Sequence, residues 1–255
     1  MTNIVIERDG AILRIGIHRA EKKNALTAAM YLGIADALTA AEADPAVRVM
    51  LLHGSEEAFT AGNDLNDFLA NPPRSNDSGV ARFLRAISDT KKPLVAAVAG
   101  PAVGVGTTML LHCDLVYAAD NAKFALPFVN LGLCPEAASS YLLPMIAGYQ
   151  RAAKLLLLGE PFDAATAREF GIVTEIVAPG ELMNAAMTTA RKLAALPPSS
   201  VRITKALMKR GLRQGIDETM AEELKHFIAR LDSPEAKEAF SAFLEKRKPD
   251  FSRFS

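Results

Sequence analysis

The residues of this chain that could do chemistry are one isolated acid and a glycine turn upstream of it. Glu136 lies between apolar and small residues, so water would solvate its carboxylate poorly and its pKa would rise toward that of a useful base. The turn Gly104-Val105-Gly106 separates an apolar run from a helical pattern, and free backbone N–H groups there can hold an oxygen that becomes negative. Together they predict an oxyanion site with a base. A glutamate at this position could also simply stabilise the start of a helix.

A second N–H donor is expected, because one donor rarely suffices for an oxyanion. The small-residue loop FTAGNDL, residues 59–65, is the candidate. Gly62 lets the backbone turn sharply, which would leave the N–H of Asn63 free. Asn and Asp favour turns of every kind, so the same residues are also compatible with a plain surface turn.

Two other chemistries have weaker support. Residues 100–106 read GxxxGxG, and Asp120 follows at the distance of a ribose-binding acid, which resembles a dinucleotide-binding turn. That turn normally follows the first strand, whereas several strands precede it here. Ser139 and Ser140 lack the G-x-S-x-G context of a nucleophile, so we interpret them as hydroxyls at a helix start.

Composition limits the partners. Lys and Arg (29) balance Asp and Glu (29), so there is no global basic field for nucleic acid or a membrane surface. Any anionic ligand would need a local cluster such as Lys22-Lys23 or the one beginning at Lys246. The four histidines lack metal-ligand spacing, so no metal site is expected.

The cysteines and the apolar runs of the sequence indicate the cellular compartment of the protein. Cys113 and Cys134 are too few for a disulfide scaffold and lie in apolar surroundings, so we expect reduced thiols. We find no signal-peptide pattern and no apolar run of the roughly 18–20 residues that a membrane span needs. We therefore expect a cytoplasmic protein.

Strand and helix patterns alternate along most of the chain. Residues 3–8 and 11–18 alternate apolar and polar positions around Asp9-Gly10, which predicts a hairpin. Residues 67–77 are polar and proline-rich, which predicts a mobile segment. Alternation up to residue 177 predicts an α/β core with partly parallel strands. Only helical patterns follow, so we predict a core at residues 1–195 and a helical region at 196–255.

Several segments in register resemble the enoyl-CoA hydratase/isomerase (crotonase) superfamily. They are HRAEKKNAL, FTAGNDL, AVAGPAVGVGTTMLLHCDLVYAAD, LGEPFDAATAREFGIVTEIV and FLEKRKPDF. The resemblance implies a spiral of ββα units with a C-terminal helical trimerisation region, and a homotrimer or a dimer of trimers. It also implies acyl-CoA thioester substrates without a separate cofactor, coenzyme A being part of the substrate.

The resemblance assigns roles to particular residues. It implies backbone donors at Asn63 and Val105, where most members have glycine at the second position. It also implies a set of positions that bind the substrate or its CoA part. These are Lys22, Lys23, Ala25, Ala61, Gly62, Asp64, Leu65, Gly104, Phe128 and Lys246.

The acids favour one branch of the family. Hydratases resembling the type enzyme use two glutamates, and Thr108 and Phe128 stand at those positions here. Instead LPFVNLGLCPEAASSYLLPMI is similar to a segment of peroxisomal-type Δ3,Δ2-enoyl-CoA isomerases, with Ala137-Ala138 in place of Gly-Cys. This implies double-bond migration with Glu136 as the single base. Hydration or another crotonase-type lyase reaction, and acyl-CoA binding without catalysis, remain alternatives.

Overall fold

The computed structural model describes residues 3–75 and 77–254. Its strands are β1 (Ile4–Asp9), β2 (Ile12–Ile17), β3 (Val49–His53), β4 (Leu94–Val98), β5 (Pro101–Val103), β6 (Leu115–Ala119), β7 (Lys123–Ala125), β8 (Phe162–Asp163) and β9 (Glu175–Val177). Its helices are α1 (Ala28–Ala43), α2 (Leu65–Ala70), α3 (Gly79–Ser88), α4 (Val105–Thr108), α5 (Ser139–Ala147), α6 (Tyr149–Leu158), α7 (Ala164–Glu169), α8 (Leu182–Ala195), α9 (Pro198–Lys209), α10 (Arg213–Leu231) and α11 (Pro234–Leu244).

The strands form two sheets between which the chain alternates. The larger has the order β1-β2-β3-β4-β6-β9, and the smaller has the order β5-β7-β8. β1 and β2 pair antiparallel as the predicted hairpin, and the remaining pairs of the larger sheet are parallel. Twice a strand of the large sheet is followed directly by one of the small sheet, β4 by β5 and β6 by β7. This is the predicted spiral of ββα units.

Both faces of the large sheet are buried, which explains why its central strands are continuous apolar runs. Because side chains alternate along a strand, Met50 and Leu52 of β3 enter the main core, whereas Val49 and Leu51 face the other side. Helix α8 covers that other side and forms a second apolar cluster with it. The main core packs the first face against α1 and α3.

The strand order contradicts a dinucleotide-binding fold. Neighbouring strands follow one another in chain order across the large sheet, so there is no reversal of order at which a dinucleotide would bind. The glycine turn at residues 104–106 instead connects β5 of the small sheet to α4.

One local prediction is wrong in part. Residues 67–77 are predicted as one mobile segment, but those up to Ala70 belong to α2, and residue 76 lies outside the described residues. The side chain of Asp64 caps this helix by accepting a hydrogen bond of 3.1 Å from the N–H of Asp67. The helix is short and polar, and Phe68 is its one buried residue, so it has almost no apolar periodicity to detect.

The chain beyond β9 is helical, as predicted. α8 still packs on the sheet, and Pro198 begins α9. α10 and α11 reach back to the core through Phe227, Leu231 and Phe240. The division at residues 195 and 196 falls between α8 and α9 and stays a prediction. Within the described residues, no helix is both long and apolar enough to cross a bilayer.

Candidate active site

The first glycine loop presents a backbone N–H that the protein leaves unused. Leu26 donates to the carbonyl of Gly62 (2.7 Å) and accepts from the N–H of Asp64 (2.8 Å), so it pairs on either side of Asn63. In such a parallel bridge the N–H of the intervening residue points away from the partner. Among the described residues, the N–H of Asn63 has no acceptor.

Backbone pairing holds the second turn against this loop. The N–H of Thr60 donates to Pro101 (3.0 Å), and the N–H of Val103 donates to Thr60 (3.0 Å). Gly62 has φ of 86°, and a Cβ there would lie 2.8 Å from the carbonyl oxygen of Val103, so only glycine fits between the two loops. Gly106 is constrained by space alone, since a Cβ there would lie 2.6 Å from the methyl group of Thr60.

α4 begins at Val105 directly after this pairing, and the N–H of Val105 is the second unused donor. Within the described chain it donates to no protein acceptor. Val105 is buried and belongs to the wall of the same cavity as Asn63. The two loops therefore offer two free N–H groups to one cavity.

The HRAEKKNAL segment braces the first loop. Arg19 binds Asp64 at 2.7 Å and also donates to the carbonyl of Ala25 at 3.0 Å. The buried side chain of Asn24 donates to Ala58 at 2.7 Å. These contacts tie the chain before α1 to both ends of the loop, so this segment acts on Asn63 through the backbone.

Glu136 is a buried acid in the wall of this cavity. The hydroxyl of Thr108 donates to its Oε1, whereas Oε2 is enclosed and has no hydrogen-bond partner among the described residues. Burial raises the pKa of Glu136 to about 8, the hydrogen bond from Thr108 opposes the rise, and the negative charge of Glu223 adds to it. A carboxyl group with this pKa can both take and return a proton near neutral pH.

The loop that carries Glu136 has an uncommon backbone conformation. Ala137 and Ala138 both have positive φ, 59° and 55°, in the left-handed region that non-glycine residues rarely adopt. The ring of His112 contacts the carbonyl of Ala137 at 2.8 Å, and burial lowers the pKa of His112 to about 4, so the ring is neutral. Glu223 of α10 accepts hydrogen bonds from the other side of the loop.

The cavity has a volume of about 600 Å³ and is mostly apolar. The two glycine loops and Glu136 form one part of its wall. Side chains from α2, α3, α10 and α11 form another, among them Phe68, Leu84, Phe227 and Phe240. Such a cavity can take an apolar chain with a carbonyl group at the polar part of the wall.

The structure brings eight of the residues predicted from sequence together in the cavity wall. They are Ala61, Gly62, Asn63, Leu65, Gly104, Val105, Phe128 and Glu136. The other five, Lys22, Lys23, Ala25, Asp64 and Lys246, do not line it. The three lysines are exposed, and Asp64 is engaged by Arg19 and α2. A role of the lysines in binding CoA stays a prediction.

Tyr31 and Glu223 are among the residues of the site that the sequence analysis did not identify. Tyr31 lines the cavity from α1, and nothing in its local sequence distinguishes it from a core tyrosine. Glu223 does leave a signal. Ile216, Phe227 and Leu231 are buried on one face of α10, and Glu223 falls at helical spacing within that apolar face.

Comparisons with known proteins agree with the fold. The family model for enoyl-CoA hydratase/isomerase matches residues 7–253. The structure of Pseudomonas aeruginosa OdaA is 46% identical, has a TM-score of 0.93, and the match covers 96% of this chain and 99% of that one. The chain belongs to the enoyl-CoA hydratase/isomerase family.

Relatives with different reactions are similarly close. Enoyl-CoA delta isomerase 2 of Rattus norvegicus is 36% identical over 96% of this chain and 64% of the rat protein, so the chain spans just under two thirds of that relative. Crotonyl-CoA hydratase of Syntrophomonas wolfei is 34% identical over 98% of this chain and 97% of that protein. Identity alone therefore does not separate isomerisation from hydration.

Proposed function

We propose that the protein is a Δ3,Δ2-enoyl-CoA isomerase with Glu136 as its base. The observation that carries this proposal is the state of the Glu136 carboxyl group. One oxygen is held by Thr108, the other is enclosed without a partner, and the pKa is raised to about 8. A proton of the substrate would supply the missing partner.

The reaction needs one base and one oxyanion site. Glu136 removes a proton from C2 of a 3-enoyl-CoA, and the thioester oxygen becomes the oxygen of a dienolate. The N–H groups of Asn63 and Val105 hold that oxygen, and such a donor is worth about 10²–10³ in rate. Glu136 then returns the proton to C4, so atoms and charges balance. Because only a proton moves, the chemistry requires no redox cofactor or metal.

Hydration is the second candidate, and one observation favours it. Glu223 is a second carboxylate in the same wall, and hydration in this family uses two acids. Both of its oxygens already accept hydrogen bonds from protein groups, however, and the side chains of Thr108 and Phe128 offer no further acid. This arrangement supports a single working base.

The remaining parts of the proposal concern binding and assembly. We propose an acyl-CoA thioester as the substrate, with Lys22, Lys23 and Lys246 near its phosphate groups, and a homotrimer as the working unit. Cys113 and Cys134 are both unpaired thiols, which fits the reducing cytoplasm expected from the sequence.

The decisive experiment is a turnover assay with trans-3-hexenoyl-CoA, following conjugation to the 2-enoyl thioester. Hydration of crotonyl-CoA is measured in parallel. We expect conjugation without hydration, and a loss of at least about 10²-fold in the Glu136→Gln variant. Retention of more than a few per cent of activity in that variant would exclude Glu136 as the base.

The other outcomes identify the alternatives. Hydration as the main reaction would make the protein a hydratase. Binding of acyl-CoA with neither reaction would indicate a non-catalytic binder. An unchanged KM in a Lys246→Ala variant would show that Lys246 does not contribute to CoA binding.

A further inference from the structure

The strongest feature outside the proposed chemistry is a hydrogen-bonded carboxylate that ties the C-terminal helices to the loop of the base. Glu223 lies in the middle of α10 and is buried, with 7% of its surface exposed. Its Oε2 accepts from the N–H of Ala138 at 2.6 Å. Its Oε1 accepts from the N–H of Ser140 at 3.0 Å and from the hydroxyl of Ser140 at 2.6 Å.

These three contacts replace a local cap. Helix α5 begins at Ser139, and the residue before it, Ala138, has no side chain that could accept from the first N–H groups. Glu223 supplies that acceptor from another helix. Charge-assisted hydrogen bonds of this kind are the stronger ones, and a carboxylate suits the positive end of a helix.

The same contacts hold a backbone that would otherwise relax. An L-residue in the left-handed region is disfavoured, because its Cβ crowds the following carbonyl oxygen, and two such residues follow each other here directly after Glu136. Such conformations persist only where surrounding contacts fix them. His112 contacts the carbonyl of Ala137 from one side, and Glu223 receives the N–H of Ala138 on the other.

We propose that Glu223 is a positioning residue, which holds residues 137–140 in the one backbone conformation that places the carboxyl group of Glu136 in the cavity wall. The idea rests on the proposed role of Glu136. It gives α10 a second task beside lining the cavity, because docking of this helix fixes the base.

The position of Glu223 also affects the charge of the base. The groups whose charges act on Glu136 or respond to it are Glu223 of α10, Tyr31 of α1 and Cys134 of the preceding loop. Of these, Glu223 is the one whose negative charge raises the pKa of Glu136. Removal of this charge should lower the pKa of Glu136, and release of the loop toward water should lower it further, so the titration of Glu136 reports the contact without substrate.

The test compares the full chain with the variants Glu223→Gln and Ser140→Ala and with their double variant. Glu222→Gln is the matched control, because Glu222 is the neighbouring acid on α10 and, among the described residues, its exposed side chain pairs with Lys225 and His226. We expect Glu223→Gln to lower kcat at least 10-fold with KM within 3-fold, and the control to change neither. Ser140→Ala removes a single donor and should lower kcat about 3-fold.

Two measurements separate a positioning role of Glu223 from a general loss of stability. Ser140→Ala should have no further effect in the Glu223→Gln background, because both changes act through the same contact. In protein carrying ¹³C-labelled glutamate side chains, with the Glu136 signal assigned by its absence from Glu136→Gln, the pKa of Glu136 should fall in Glu223→Gln. This NMR measurement needs no substrate, so it tests the contact between Glu223 and the loop of Glu136 even if the wild type does not isomerise 3-enoyl-CoA.

Several results would contradict a positioning role of Glu223. If kcat of Glu223→Gln stays within 2-fold of the control, or if the two substitutions lower kcat independently, Glu223 does not act through the loop. An unchanged titration of Glu136 together with a lower melting temperature would reduce Glu223 to a structural brace. If Glu223→Gln does not fold, Ser140→Ala alone decides, since loss of one hydroxyl leaves the carboxylate paired with two N–H groups.

Discussion

The hydroxyl of Tyr31 donates a hydrogen bond of 2.5 Å to the side-chain oxygen of Asn63. Tyr31 is almost fully buried in α1, and burial raises the pKa of its phenol well above the ordinary value. The phenol therefore stays protonated and remains a donor. Because the backbone N–H of Asn63 is the proposed oxyanion donor, this contact fixes the residue that must point its N–H into the cavity.

Replacing Tyr31 by Phe should lower kcat about 10-fold with little change in KM. The ring keeps its packing, but the side chain of Asn63 loses its only described anchor and the loop gains freedom, and small misplacements of such groups are costly. Tyr117→Phe is the control, since Tyr117 is also buried and bonds Thr189 at 2.7 Å on the far side of the sheet. Both variants should lose about 1 kcal/mol of unfolding free energy. Equal kcat values for the two variants would contradict the prediction.

The pH profile of kcat/KM should rise with an apparent pKa near 8, the value to which burial raises Glu136. A base works only when deprotonated, and this profile reports the free enzyme. Thr108→Val removes the hydrogen bond that lowers this pKa, so its profile should move to higher pH. A profile that is flat from pH 6 to pH 9, or a shift to lower pH in the variant, would argue against Glu136 as the titrating group.

Stability should also depend on pH through Glu136. The pKa of Glu136 rises from 4.5 in the unfolded chain to about 8 in the folded protein. The contribution of the protonated carboxyl group to the free energy of unfolding is therefore fully present below the unfolded pKa and is lost as pH rises through the folded pKa. Between pH 5 and pH 8 the wild type should lose about 1.4 kcal/mol per pH unit relative to Glu136→Gln, which cannot ionise there. Urea unfolding of both proteins across this range measures the difference. Parallel curves would show that burial does not raise this pKa.

Gly62→Ala should be more damaging than Gly10→Ala. Both residues have positive φ, 86° and 59°, so both substitutions carry the cost of a left-handed alanine, about 1–2 kcal/mol. Only at position 62 does the new Cβ also meet the backbone, at 2.8 Å from Val103, whereas nothing lies within 4 Å at position 10. We expect loss of kcat for Gly62→Ala and unchanged kcat for Gly10→Ala. A similar loss of stability and similar kcat in both variants would mean that the two loops separate without cost.

The sequence predicted what depends on short segments. The hairpin at Asp9-Gly10, the glycine turns, and Glu136 in its apolar surroundings could all be recognised because pattern and chemistry lie within a few residues. The hydrogen-bonding and charged partners of Glu136 could not be recognised from the sequence. Thr108 lies 28 positions away and Glu223 farther still, and their approach is decided by the packing of whole helices.

Two features could not be predicted for the same reason. A role of Asp64 in substrate binding stays a prediction, but the contacts of its carboxylate with Arg19 and with the first turn of α2 are visible only in the structure. α2 itself was missed because one buried residue, Phe68, gives no periodicity. Both depend on contacts between segments that are remote in the chain, which local propensity does not contain.

The contact between Glu223 and the loop of Glu136 affects the order in which parts of the protein can fold during synthesis. Glu223 follows Ala138 by 85 positions, so a ribosome releases the loop long before the carboxylate that holds it. Until then the two left-handed alanines lack half of their support, and the cavity lacks the walls that α10 and α11 provide. The β-strands can pair early, but the proposed active site is completed last.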